Sequence, residues 1–332
     1  MNKDIRFVIF IFLYILFPNF INAQMEISGF FDVLNIREFT KNNYNQFQIN
    51  QFEIDISYAY QNHLSLGTAI AYNNETQNME LAMAYIHYNF INKKAMHPRR
   101  EETMDHSGIV IGKFDINFGL DYLSYPSPDR PIISQPLIFE KTIGSWNDIG
   151  VNYHIVKGNL NFHIWAVNGF NNGINLGGNL RYSFLPFLNL GFSRFSDFEK
   201  LSKIKAWANG LDILIKTEVI QLKSEYLWAK GIYEGNRDTL TTQRNHKGFY
   251  VQILTQLKEI INMPIFITLQ YGQWNSKFDR KYNSNYDNEE RFTVGIGYQF
   301  NKNISARMEL LTETIETKKT HQKGTLQVVV AF

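Results

Sequence analysis

The residues best suited to chemistry are the eight histidines and the serines and carboxylates near them. His154 and His163 lie on segments predicted to be neighbouring strands, so their imidazole rings are expected to approach each other. A zinc site needs at least three protein ligands, and no third ligand can be named, so we interpret the pair as polar lining. The adjacent His106 and Ser107 in "DHSG" (105–108) offer a base and a nucleophile, but a lone His-Ser pair is weak evidence for a catalytic site, and we treat the match as chance.

The signatures of common enzymes do not occur in this sequence. There is no phosphate-binding G-x-x-x-x-G-K, no G-x-G-x-x-G, no H-E-x-x-H and no G-x-S-x-G. The chain has no cysteine, which excludes disulfides, thiolate metal sites and a lipid-anchored cysteine. We therefore expect a protein that is not an enzyme, with no cofactor and no metal site.

Composition and the first residues indicate a secreted chain. Lys3 and Arg6 precede an apolar run over 7–17, and the small residue Ala23 follows, which is typical of a signal peptide at 1–23. We expect the remainder, 24–332, to be one domain. The 33 Lys and Arg nearly balance the 31 Asp and Glu, so no nucleic-acid partner is expected.

Alternation with a period of two runs through almost the whole chain. "FEIDISYAY" (52–60) and "RFTVGIGYQF" (291–300) each place apolar or aromatic residues on one face and polar or small residues on the other. We count sixteen such strands, and a fourteen-strand count would fit most of the pattern. The other predicted strands are 27–36, 63–73, 80–90, 108–119, 147–156, 159–169, 174–185, 187–195, 204–217, 218–230, 247–257, 264–274, 303–314 and 324–332.

The connections alternate between short turns and long polar segments. Tight turns are predicted at 61–62, 157–158, 185–186, 217–218 and 301–302, and longer loops at 37–47, 120–146, 231–246, 275–289 and 315–323. This is the organisation of an outer-membrane barrel, with short periplasmic turns and long extracellular loops. The long, charged segment 91–106 breaks the rule on the periplasmic side, and we assign it no role.

The C-terminal stretch "LQVVVAF" supports a closed barrel. Leu326, Val328, Val330 and Phe332 are predicted to face lipid, in a last strand that pairs with the first. A strand that ends in Phe is similar to the signal by which the barrel assembly machinery recognises its clients. The alternative, a soluble β-sandwich, does not explain a face that stays polar along sixteen strands.

The segment 108–148 carries the most information. Strand 5 is predicted to point Lys113, Asp115 and Asn117 inward, with Phe114, Ile116 and Phe118 toward lipid. The loop at 120–146 follows, the longest of the chain and the third on its side. It contains four prolines and several apolar residues. Because a solvated loop does not need them, we expect this loop to fold into the barrel.

"GKFDINFG" (112–119), followed by a long Pro-rich third loop, resembles the Gram-negative outer-membrane porins, in particular the phosphate-selective (O/P-like) group. The hairpins at 52–72 and 146–170 are also similar. The resemblance implies a sixteen-stranded channel, often a homotrimer, whose third loop constricts the pore. It also implies a basic residue near the end of strand 5, which Lys113 matches.

Predicted lumen charges differ from the cationic lining that this resemblance implies for phosphate selectivity. Five cations face seven carboxylates, which predicts a transverse field rather than an anion trap. The lumen-facing candidates outside strand 5 are Asp32, Glu53, Asp55, Arg181, Asp212, Lys216, Lys223, Glu225, Arg307 and Glu309. The candidates for the constriction are Lys113, Asp115, Asp121, Asp129, Arg130, Glu140 and Lys141.

The sequence therefore predicts an all-β, antiparallel, up-and-down transmembrane β-barrel of the outer membrane. Its expected function is passive diffusion of small hydrophilic solutes or ions, since barrels of 16 to 18 strands enclose water. Its expected partners are outer-membrane lipid, those solutes, and the assembly machinery through Phe332. The alternative is a barrel with a largely closed lumen that serves as a scaffold or binds a partner protein.

Overall fold

The computed structural model describes most of the chain beyond the predicted signal peptide. The described ranges are 24–39, 45–60, 63–73, 77–90, 105–124, 126–169, 173–198, 206–232, 244–278, 286–315 and 320–332. The predicted signal peptide, the turn at 61–62 and most of the charged segment 91–106 lie outside them.

Sixteen strands form within these ranges. They are Gln24–Glu38 (β1), Asn45–Tyr60 (β2), Leu64–Asn73 (β3), Asn78–Asn89 (β4), His106–Asp115 (β5), Asn147–Lys157 (β6), Leu160–Asn168 (β7), Ile174–Leu185 (β8), Leu188–Asp197 (β9), Trp207–Lys216 (β10), Ile220–Lys230 (β11), Arg244–Gln256 (β12), Ile265–Phe278 (β13), Tyr286–Asn301 (β14), Ile304–Ile315 (β15) and His321–Ala331 (β16).

The sixteen strands close into one antiparallel barrel in which each strand pairs with its neighbours in sequence. Closure is made by β1 and β16, where Phe30 lies opposite Ala331. The backbone of Phe332 continues the pairing, because it exchanges two hydrogen bonds with Gly29, at 3.0 and 2.9 Å. The predicted all-β, up-and-down, sixteen-strand fold is confirmed, and the terminal residue is held by the first strand.

The two faces of the barrel differ as the alternation predicts. In β16, Gln327 and Val329 face inward and are each 2% exposed, whereas Leu326 and Val328 face outward and are 48% and 42% exposed. The same contrast between neighbouring residues recurs around the wall. An apolar outer surface around a largely polar inner wall is the arrangement that a lipid bilayer requires.

Most connections at one end of the barrel are two or three residues long, but those between β4 and β5 (90–105) and between β12 and β13 (257–264) at the same end are longer. Two helical turns stand out: Leu137–Glu140 (α1) lies between β5 and β6, and Lys258–Ile261 (α2) lies between β12 and β13. Within the described ranges, no helix is long and apolar enough to cross a membrane. At the long-loop end β13, β14 and β16 extend further than predicted, while β5 ends four residues earlier than predicted, at Asp115.

Candidate functional site

The segment between β5 and β6 lies within the barrel and contacts its inner wall on several sides. Its base is closed by a hydrogen bond from the Ile116 N–H to the Trp146 carbonyl, at 2.9 Å. Between these residues it forms 3₁₀ turns at Asp121–Ser124 and Ser127–Asp129, and then α1. We call residues 116–146 the inner loop, and it is the candidate functional element.

The first anchor holds the start of the inner loop against β8, β9 and β11. The Gly119 N–H donates to Ser193 Oγ at 2.9 Å, and the Leu120 N–H donates to Glu225 Oε2 at 2.8 Å. Arg181 donates to the Gly119 carbonyl at 2.8 Å. Gly119 has φ +69°, and a Cβ there would lie 2.0 Å from Glu225 Oε2. Only glycine therefore fits this approach of loop to wall.

Buried charge surrounds the first anchor. Arg181 also contacts Asp212 at 3.4 Å, and Glu225 accepts a hydrogen bond from the Tyr250 hydroxyl at 2.5 Å. Lys223 Nζ lies 3.7 Å from Asp121 of the inner loop. Two carboxylates predicted to line a wet lumen, Asp212 and Glu225, are thus used to hold wall and loop together.

The second anchor holds the middle of the inner loop against the closing strands. The Ser127 hydroxyl donates to Asp32 Oδ2 at 2.9 Å, and the Ser127 N–H donates to Gln51 Oε1 at 2.9 Å. Arg307 donates to the carbonyls of Ser127 and Pro128, at 2.5 and 3.0 Å. Because β1, β2 and β15 supply these groups, the loop reaches the side of the barrel opposite its first anchor.

The third anchor surrounds α1 near the long-loop end. Arg291 of β14 binds both carboxylate oxygens of Glu140, at 2.6 and 3.2 Å, and contacts Glu313 at 2.9 Å. It also donates to the Gln135 carbonyl at 3.1 Å. Lys141 forms an ion pair with Glu289 at 3.1 Å. Arg291 was placed on the polar face by alternation but was not among the predicted site residues.

The charge of Glu140 is set by this anchor. Partial burial raises its pKa, but the hydrogen bond and the charge of Arg291 outweigh that effect, with help from Lys141 and Lys323. The pKa of Glu140 therefore lies below its ordinary value, and the ion pair persists into mildly acidic solution.

Apolar packing joins the inner loop to the wall and overturns one prediction. Phe114, Ile116 and Phe118 were expected to face lipid, but they are at most 2% exposed and belong to the interior cluster. The Phe118 and Trp146 rings contact Phe195 of β9, with centroids 5.5 and 4.9 Å apart. β5 turns its aromatic face inward because the inner loop supplies an apolar surface there.

Leu137, Ile138 and Phe139 of α1 complete this packing, each at most 1% exposed. The Phe139 ring meets Tyr250 with a centroid separation of 6.2 Å. α1 packs on β12 and β13. The inner loop is thus fixed by apolar contact on the β9–β13 side and by polar anchors around it.

The reversed orientation of β5 also moves Lys113. This residue lies opposite Ile149, which is 56% exposed on the outer face, and it donates to the Leu81 carbonyl at 2.6 Å. Its predicted inward position is wrong. Asp115 lies at the end of β5 opposite Asn147 and lines a cavity of about 140 Å³ that Glu53 also lines.

The other predicted charges fall on the inner wall or the inner loop. Arg130 lies 3.9 Å from Asp121, and Glu309 Oε2 accepts a hydrogen bond from the Ser134 N–H at 2.8 Å. The lumen-facing positions that alternation gives to β1, β2, β8, β10, β11 and β15 agree with the observed inner face. They are Asp32, Glu53, Asp55, Arg181, Asp212, Lys216, Lys223, Glu225, Arg307 and Glu309.

Open space remains on both sides of the inner loop. A cavity of about 640 Å³ lies between the loop and the short-turn end, lined by Asp55, Asp129, Lys216 and Lys223 among others. A second cavity of about 240 Å³, at the long-loop end, is lined by Arg291 and Glu313 among others. Both cavities carry charges of both signs.

The histidines form a larger group than predicted. His154 and His163 stack with centroids 5.7 Å apart, and His87 and His106 lie 5.0 and 5.1 Å from His154. Within the described part of the chain, no group of three or more His, Asp or Glu side chains is arranged to hold a metal ion. Ser107 follows His106 in a strand, so the two side chains leave opposite faces and form no catalytic pair.

Comparisons with known proteins bear on the fold. No protein-family model matches the sequence, and no curated protein matches it. Among solved structures, the anion-selective porin from Comamonas acidovorans is similar with a TM-score of 0.66 and 9% identity, covering 94% of this chain and 100% of that one. Salmonella typhi OmpF in complex with daunomycin is similar with a TM-score of 0.66 and 13% identity, covering 93% of this chain and 97% of that one.

The outer-membrane channel DcaP of Acinetobacter baumannii gives a TM-score of 0.65 at 12% identity, covering 93% of this chain and 97% of that one. At such identities the likeness concerns the fold alone. The chain therefore has the fold of outer-membrane porins over nearly its whole length, while its resemblance to the phosphate-selective group stays a prediction.

Proposed function

We propose that this protein is an outer-membrane channel through which small hydrophilic solutes or ions diffuse, narrowed by the segment 120–146 of the inner loop. The observation that carries the proposal is the set of three wall arginines that hold the loop inside the barrel. Arg181, Arg307 and Arg291 donate to loop carbonyls at Gly119, Ser127 and Gln135. A loop held at three places is suited to a constriction of constant width.

The same arginines bear on selectivity. Their guanidinium groups are engaged by loop carbonyls and by Asp212, Glu140 and Glu313. The charges lining the larger cavity are of both signs. We therefore propose weak ion selectivity rather than a preference for phosphate.

The test is single-channel conductance of the folded protein in a planar bilayer, with the reversal potential measured across a salt gradient. Stepwise openings with a reversal potential near zero support the proposal. A strongly anion-selective reversal potential contradicts the proposed weak selectivity, although it still supports a channel.

The alternative function is a barrel that serves as a scaffold or binds a partner protein. The apolar packing of α1 against β12 and β13 favours it, because it fills part of the lumen. A verifiably folded barrel that neither conducts ions nor admits sugars in a liposome-swelling assay would establish this alternative.

A further inference from the structure

The cavity of about 640 Å³ between the inner loop and the short-turn end is lined by charges that lie on opposite walls. Among the described residues, the charged side chains lining it are Asp55, Asp129, Lys216 and Lys223. Asp55 belongs to β2 and Lys216 to β10. Because β2 and β10 are eight strands apart in a closed barrel of sixteen, these two side chains start from opposite sides of the lumen.

The β1–β2 side of the cavity is negative. Asp129 ends the 3₁₀ turn that packs on β1 and β16, so it lies on the same side as Asp55. Arg307 of β15 interacts electrostatically with Asp129 and with Asp32, and Arg130 forms an ion pair within the inner loop. The three carboxylates outnumber the one remaining cation, Arg307.

The β10–β11 side of the cavity is positive. Lys216 lines the cavity and is exposed, whereas Lys223 is 7% exposed and forms an ion pair with the inner loop. The carboxylates Asp212 and Glu225 of these strands are at most 3% exposed, where they contribute to the first anchor. Glu218 lies in the adjacent turn and does not line the cavity. Lys216 is therefore the charge that a solute meets on this side.

Between the two charged sides, the inner loop gives the cavity an apolar surface. Apart from two polar residues, the described loop residues that line the cavity are Leu120, Leu123, Pro126, Pro128 and Pro131. Proline rings restrict the backbone, so this surface keeps its shape. Apolar lining with a few placed polar groups, in a volume of about 300–1,000 Å³, is typical of sites that bind small molecules.

A solute fits this cavity when it carries an ammonium group at one end, a carboxylate at the other and an apolar group between them. A round cavity of about 640 Å³ is about 11 Å across, and the ends of an extended peptide of two to four residues lie about 7–14 Å apart. A free amino acid carries both charges on one carbon and cannot span the cavity. A simple anion or cation matches one wall only.

We propose that this cavity binds short zwitterionic peptides with apolar side chains, and that they are preferred solutes of the channel. The amino terminus contacts the carboxylates of the β1–β2 side, the carboxyl terminus contacts Lys216, and an apolar side chain packs on the prolines of the inner loop. The passage of the peptide rests on the proposed function, whereas its binding is measured without conduction.

The test is isothermal titration calorimetry of the folded full-length barrel in detergent with the tripeptide Ala-Val-Ala. Lys216→Gln and Asp55→Asn are each expected to weaken binding about fivefold, and both together about 25-fold. Lys216→Arg keeps the charge and should leave the affinity nearly unchanged. The matched controls are Lys157→Gln in β6 and Glu259→Gln in α2, exposed charges that do not line the cavity, and both should also leave the affinity nearly unchanged.

Modified peptides assign each end of the peptide to its wall. Acetylation removes the charge of the amino terminus, so the acetylated peptide should bind the unchanged protein as weakly as Ala-Val-Ala binds Asp55→Asn. Asp55→Asn should not weaken the acetylated peptide further. Amidation of the carboxyl terminus should stand in the same relation to Lys216→Gln. Ala-Thr-Ala has the same shape with a hydroxyl group, and it should bind more weakly because the hydroxyl would lie on the prolines.

Several results would overturn the proposal. They are equal affinity of the double variant and the unchanged protein, an equal loss in the two controls, an equal loss for capped and uncapped peptides, and equal binding of free valine. Conductance of the same samples tests the proposed function separately. A barrel that conducts ions but binds no peptide keeps that function and overturns this proposal. A barrel that binds the peptide but does not conduct supports the binding site and overturns the passage of the peptide.

Discussion

Replacing Arg291 by Met should loosen the inner loop while the barrel stays closed. The Arg291 side chain is 5% exposed and joins two carboxylates, of which Glu313 is 16% and Glu140 44% exposed. Met fills similar apolar volume but removes every donor. The two carboxylates and the Gln135 carbonyl then lose their shared partner.

The expected loss in the free energy of loop attachment follows from these contacts. A hydrogen bond to a charged group contributes about 1.5–3 kcal/mol, and the partly exposed Glu140 can recover water. We therefore expect a loss of about 3 kcal/mol in the attachment of α1, a change of about 150-fold in the ratio of attached to detached loop. The apolar contacts of α1 remain, so the loop should detach intermittently.

The assay is a single-channel recording at neutral pH. The variant should show frequent transitions to a larger conductance, whereas the unchanged protein shows steady openings. Arg291→Lys should lie between the two, because an ammonium keeps the charge but lacks the planar fork. Arg194→Met, an arginine lost from the outer face, is the control. Steady openings of unchanged size in the Met variant, with normal heat-modifiable migration, would refute this account of the anchor.

Three other changes test the same arrangement. Gly119→Ala puts a Cβ 2.0 Å from a carboxylate oxygen of β11 and should give larger, noisier openings. Gly144→Ala, also at positive φ but at a position where the added Cβ would meet no atom within 4 Å, should cost only about 1–2 kcal/mol of local strain and leave conductance steady. Because the pKa of Glu140 is lowered, its ion pair keeps full strength above the ordinary carboxyl pKa and is lost as the pH falls through the lowered value. Noise should therefore rise only when the pH falls below the ordinary carboxyl range, and Glu140→Gln should be equally noisy at all pH values. In this cysteine-free chain, a bulky thiol reagent on Lys216→Cys should reduce conductance, and on the outward Ile213→Cys it should not.

Alternation was sufficient to predict the barrel and most of its inner face. In each strand, residues that face lipid alternate with residues that face the interior, and this pattern can be read from the sequence of the strand itself. In β16, for example, Gln327 and Val329 lie where the pattern places them. The number of strands follows from the same pattern and from the turns between them.

β5 shows where this reasoning fails. Both faces of "GKFDINFG" carry large or charged residues, so the pattern alone does not say which face is inside. The charged face was predicted to point inward because a water-filled lumen was expected. The interior is filled by apolar side chains at this point because the inner loop packs there, so Phe114, Ile116 and Phe118 face inward. The anchors were hidden for another reason: Arg291 and Glu140 are 151 residues apart, and no local pattern relates them.

The anchors also bear on the weak ion selectivity that we propose for a lumen lined by charges of both signs. Guanidinium groups that face water in a lumen attract anions, but those of Arg181, Arg291 and Arg307 donate hydrogen bonds to carbonyls of the inner loop. A lysine would replace them only in part, since only the planar guanidinium contacts several oxygens in fixed geometry. A wide barrel needs such contacts because water competes for every carbonyl of a loop that crosses it. We expect that these contacts fix the position of the loop and leave the guanidinium groups less able to attract anions. The reversal potential should therefore move toward anion selectivity only when the loop is released.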